Sequence, residues 1–141
     1  MYSQDFVAWT EKQAELLHSR QFNELDLENL AEDIYSLGNE QKHKVDSYLR
    51  QLLKHLLLYH YWNSEREYCA NGSIDEIGNF RFELEQLLES KTLYNHLVAR
   101  FDYIYGKARK QAITKSQIKD IPEVCPYTVE EVLNEDFLPP C

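Results

Sequence analysis

Between residues 30 and 56, positions able to face a core recur every three or four residues: Leu30, Ile34, Leu37, Gln41, Val45, Leu49, Leu52 and Leu56. That is the period of one face of an α-helix, broken in character only by polar Gln41. The register never resets, so the segment reads as one helix of about 35 residues, starting at Leu27 and ending near Asn63. Gly38 lies inside the run. It allows three local readings: a C′ glycine that stops the helix, a kink, or the close approach of another backbone. The continuous period favours a single helix bent near Gly38–Asn39, in which glycine costs about 1 kcal/mol against alanine.

The rest of the chain is also helical in pattern. Gly and Pro number four each among 141 residues, so turns are few and elements long, and the length suits one domain over 1–141. Phe6, Trp9, Gln13, Leu16 and Leu17 share a face over 5–20, with Ser3 or Asp5 as cap. Asp26 is placed to cap the long helix, with Asn29 where a capping box would carry Glu. After an Asn71-Gly72 turn signal, Ser73 and Glu76 make a capping box for a third helix over 74–90, striped by Ile74, Ile77, Phe80, Leu84, Leu87 and Leu88. A fourth, over 93–114, places Leu93, Leu97, Phe101, Ile104, Ala108 and Ala112 together. All four prolines fall at or beyond position 122, which excludes a long helix there. Thr128 and Glu131 box a helix of one or two turns over VEEVL, and Ile121, Val124, Tyr127, Val129, Val132, Phe137 and Leu138 are too apolar for a free tail. The expected fold is all-α: an antiparallel bundle of about four helices over 5–117, with an irregular segment, 118–141, packed on it.

Charge limits the partners. The net charge of −9 opposes nonspecific binding to nucleic acid. It is also banded: −7 over residues 1–41, +3 over 42–66, −5 over 67–90, +6 over 91–119 and −6 over 120–141. Alternating bands suit helices that attract one another, or a basic face on 91–119 that receives an acidic partner. Cys69, Cys125 and Cys141 form no CxxC pair; with no targeting segment at the start, a reducing cytosol and a cytoplasmic location fit, and a Cys69–Cys125 bridge stays open. The apolar run in LLKHLLLYHYW (52–62) holds about ten residues and contains Lys54 and His55, too short for a membrane span of about 20.

Candidate chemistry is thin. His55 and His60 lie five apart, about 140° around a helix beyond one full turn, and do not converge on a metal. The Glu-x-x-His at Glu40–His43 sits in NEQKHK, a solvent-facing setting that does not suit a di-metal site. No cofactor motif, nucleophile elbow or phosphate loop occurs. Asp33 beside the apolar stripe, with Lys54 and His55, would make a perturbed acid–base set if the fold joined them. That is the basis of a hydrolytic or nucleotide-directed alternative. Tyr48, His55 and Trp62 repeat every seven residues with Tyr59 alongside, a column that suits either a second core face or a surface for a partner or ligand.

Several strings point to a family. DFVAWT, EKQAELL, LDLENLAEDIYSLG, HLLLYHYW and CPYTVEEVLNEDFLP, in this order, resemble DUF29 proteins, small helical proteins found mostly in cyanobacteria. The resemblance spans about Asp5 to Pro139, and its most specific part is the tail. It implies a helical bundle and carries no site residues, because the family has no defined function. The residues and the resemblance together lead to the expectation of a small cytosolic, non-catalytic interaction or adaptor protein, with an unknown protein partner or a homodimer through the long helix.

Overall fold

The computed structural model describes residues 4–62 and 66–140, and the side chains of 4–62 and 74–140. Five α-helices follow in order: α1 Phe6–His18, α2 Leu27–Tyr61, α3 Arg66–Leu87, α4 Lys91–Ser116 and α5 Val129–Leu133, with a 3-10 turn at Phe22–Glu24. No strand occurs among the described residues. The all-α expectation holds, and α2 is the single long helix that the period required. A Cβ built on Gly38 would meet nothing within 4 Å, so neither a helix stop nor a close backbone approach accounts for this glycine.

The chain divides into two compact units, residues 1–40 and 41–141. In the first, the Asp5 carboxylate caps α1 by accepting from the Ala8 N–H at 3.1 Å. Trp9, Gln13 and Leu16 are its buried side chains. The link to α2 is tied from both sides. The Trp9 indole N–H donates to Asp26 Oδ2 at 3.0 Å, and the Asp26 backbone N–H donates to Gln13 Oε1 at 2.8 Å. Asn29 stands where a capping box would place Glu, and instead donates its amide to the same Asp26 oxygen at 2.8 Å. The Asn29 and Trp9 bonds hold the Asp26 carboxyl below its ordinary range.

The second unit contains the large core. Val45, Leu49, Leu52, Leu53, Leu56 and Leu57 of α2 are fully buried against Ile77 and Leu84 of α3 and Leu97, Phe101, Ile104 and Ala108 of α4. Tyr48 meets Phe80 at 6.3 Å between ring centroids, while His55, two turns further along α2, meets Phe80 at 5.6 Å and also the earlier Glu76 at 2.8 Å, so α3 runs antiparallel to α2. Asp46 clasps α2 to α4: it accepts from His96 Nε2 at 2.9 Å and from Arg100 at 3.2 Å. One expectation fails here. Ser73 does not begin α3, which starts at Arg66 and carries Asn71-Gly72 inside it. A turn dipeptide is a local preference of about 1 kcal/mol, and helix-forming neighbours on both sides outweigh it.

The C-terminal segment packs on this core as the apolar residues require. Ile121, Tyr127 and Val132 are buried, and Thr128 and Glu131 form the expected capping box on α5. Val124, by contrast, is exposed. Polar anchors fix the path: Tyr105 Oη donates to the Pro122 carbonyl at 2.6 Å, Arg109 to Ile121 O at 2.9 Å and Arg81 Nε to Val132 O at 2.8 Å. Cys125 is a free thiol, so it makes no bridge, and burial pushes it up to about 11. Cys141 and the side chain of Cys69 lie outside the described residues.

Candidate functional site

Asp33, Tyr48, Lys54, His55, Tyr59 and Trp62, the candidate site residues, all lie within the described residues. Asp33 belongs to the first unit, Lys54 and His55 to the second. Lys54 lines a cleft together with residues of α4. His55 points the other way, towards α3, where Nε2 lies 2.8 Å from Glu76 Oε2. With a carboxylate as acceptor, Nε2 carries the proton in the neutral ring. Its Nδ1 is buried without a hydrogen-bond partner. Protonation would therefore place an N–H where nothing accepts it. Burial accordingly holds the His55 imidazole below its ordinary range, against the opposing field of Glu76, and Lys54 and Lys115 add to the depression.

The aromatic column is largely packing. Tyr48 and Trp62 lie against the core cluster, and His55 stacks on Phe80. Tyr59 is half-buried. His60, off the column, pairs its Nδ1 with Tyr127 Oη at 2.9 Å and so ties α2 to the tail. Glu40 and His43 are both exposed. Among the described residues, no three His, Cys, Asp or Glu side chains gather round one point.

The sequence reading missed where the apolar surface stays open. The stripe of α2 is buried from Val45 onward, but Ile34 and Leu37 are 67% and 63% exposed. Opposite them on α1, Leu17 is 49% exposed. These side chains, with Phe6, Trp9 and Leu30, line a groove of about 560 Å³ within the first unit, and Asp33 and Glu40 lie along it. Soluble chains rarely leave a contiguous apolar lining of this kind uncovered. The signal was present as a continuous period, but periodicity shows which face is apolar and not what covers it.

A family model for a domain of unknown function, DUF29, matches residues 1–138. The chain belongs to the DUF29 family. No curated protein and no solved structure matches it. Membership of the DUF29 family carries no assigned role, so the role is argued from the surfaces themselves. No described helix is long and apolar enough to cross a membrane.

Proposed function

We propose that this DUF29 protein is a non-catalytic interaction module of the cytosol, and that its first unit receives an amphipathic helix of another protein in the α1–α2 groove. The carrying observation is the exposure of Leu17, Ile34 and Leu37 along one apolar groove. Helix-in-groove recognition uses such a lining, read by side chains at i, i+3, i+4 and i+7 of the ligand. Charge selects among ligands. Residues 1–40 hold nine acids and two bases, a balance of −7. That balance favours a helix with Lys or Arg beside its apolar face, and it opposes a two-fold contact that would bring two copies of the same acidic surface together.

The test uses a labelled Leu/Lys amphipathic peptide of about 18 residues, long enough to span about five turns. Fluorescence anisotropy is expected to give saturable binding, with a Kd on the order of micromolar. The double substitution Ile34→Asp, Leu37→Asp weakens it by about tenfold or more while circular dichroism stays unchanged, because both positions face water. A Leu/Glu peptide that binds equally well, or a parent protein that is dimeric by light scattering until these two residues are changed, would refute the reading.

A further inference from the structure

A second surface lies in the second unit, between α2 and α4. Arg50 and Lys54 stand one turn apart on α2, and Lys110 and Lys115 face them from α4 across a cleft of about 400 Å³. Gln111 and Thr114 line the wall between the two α4 lysines. Among the described residues, none of these four cations takes part in an ion pair; the acids in ion pairs there, Asp46 and Glu76, are held by His96, Arg100 and His55. Lys54 is half-buried, and its ammonium is held below the ordinary range by burial first, then by Lys115 and Arg50. In a chain of net charge −9, acids were plentiful, and one across the cleft would have sealed this seam. The seam instead joins four like charges with three neutral hydrogen-bonding side chains, Gln51, Gln111 and Thr114. A merely solvated basic face does not require cations from two helices to line one cleft, nor one of them to be drawn partly out of water.

The spread of the charges selects the ligand. Arg50 to Lys54 covers about 6 Å of helix axis, and Lys110 to Lys115 about 7.5 Å. A single carboxylate cannot meet charges so distributed, whereas two linked phosphoryl groups can. We propose that this cleft binds a diphosphate group, either free or borne by a larger molecule. The guanidinium fork of Arg50 takes one phosphoryl group in a bidentate pair, the lysines act as point charges on both, and Gln111 and Thr114 donate to the remaining oxygens. This site is independent of the apolar groove and stands whether or not a helix binds there.

Calorimetric titration of the full chain with sodium diphosphate, at constant ionic strength set with sodium chloride, tests the proposal. One saturable site is expected, with inorganic phosphate weaker. Lys54→Gln with Lys110→Gln should weaken diphosphate binding about tenfold or more, and the exposed Lys110→Gln alone should weaken it in part. Thermal unfolding of these variants should occur at or above the parent temperature, since repulsion is relieved. Lys44→Gln with Lys91→Gln removes the same charge away from the cleft and should leave binding intact. A second arm uses vesicles bearing a diphosphate headgroup lipid: sedimentation with them that the cleft variant abolishes assigns the group to a lipid, and none assigns it to a soluble compound. Absence of binding in both arms overturns the proposal, as does equal weakening in the control variant. Single-stranded oligonucleotide binding tighter than diphosphate binding also overturns it, in favour of nucleic acid.

Discussion

His55 is the residue at which chemistry and packing were hardest to separate. It is a histidine on a helix face rich in leucine, with an acid at 2.8 Å, and it could be read as an acid–base group. Its surroundings favour packing. One ring nitrogen faces Glu76, which is itself largely in water, and the other is buried without a partner. A pair with one exposed member contributes little, while the unmatched nitrogen carries a desolvation penalty. His55→Phe should therefore preserve stability or raise it by up to about 1 kcal/mol, because Phe stacks equally well on Phe80 and removes the unmatched nitrogen. The sign of the pH effect follows from the same contacts. A histidine held below 6.5 in the folded chain contributes stability above 6.5 that is lost as pH falls from there towards its folded value. Urea denaturation of the parent and of His55→Phe across this range should show the parent losing ground to the variant on acidification. A variant destabilised by several kcal/mol at neutral pH would show that His55 holds an essential polar contact.

At the scale of elements, what could be read from the sequence divides cleanly. The length of α2, the Asp5 cap, the Thr128–Glu131 box and the burial of Ile121, Tyr127 and Val132 were legible, because each depends on local spacing or on apolar content that must be covered. The partners were not. Arg81 occupies a stripe position of α3 between Ile77 and Leu84, where a charge looks misplaced. Its role emerges only when α5 ends beside it: Nε donates to Val132 O at 2.8 Å and the guanidinium reaches Glu131 O at 3.4 Å. Those are carbonyls of the last turn of α5, the negative end of a helix, which a cation satisfies. The basic cleft escaped for the same reason, since Arg50 and Lys54 become a site only when α4 brings Lys110 and Lys115 across from them. Arg81→Ala leaves the Val132 carbonyl unmatched, while Glu131 O still accepts from the Asn134 N–H at 3.2 Å, and should cost about 2–3 kcal/mol, as for hydrogen bonds to charged groups. Equilibrium urea denaturation measures this, and nuclear magnetic resonance should place the largest shifts in Val129–Leu133. A loss under about 0.5 kcal/mol would show that water replaces the guanidinium and that α5 docks by its apolar face alone.

For the whole molecule, the distribution of buried apolar side chains sets where it opens. Residues 41–141 contain the hydrophobic cluster of Val45, Leu49, Leu52 and their neighbours on α3, α4 and the tail, whereas among the described residues of 1–40 the buried large apolar groups are Trp9 and Leu16. A unit of about 40 residues lies near the lower limit of what folds without help. Local opening free energies follow the amount of apolar surface that opening exposes. Amides within Val45–Leu58 and Leu97–Ala112 should therefore exchange only with global unfolding, and those within Phe6–Leu37 orders of magnitude faster. The contrast should run through α2 itself, with protection rising along one continuous helix past Glu40. A ligand bound to the folded form suppresses opening in proportion to its occupancy. The Leu/Lys peptide at about a hundred times its Kd should thus slow exchange in Phe6–Leu37 by about a hundredfold, and slow Leu97–Ala112 by a similar factor because global unfolding also releases it, while diphosphate should slow Leu97–Ala112 and leave the local opening of Phe6–Leu37 unchanged. Uniform protection along α2 without any ligand would show that the α1–α2 groove is already stable, and that its open apolar face is not held in readiness for a partner.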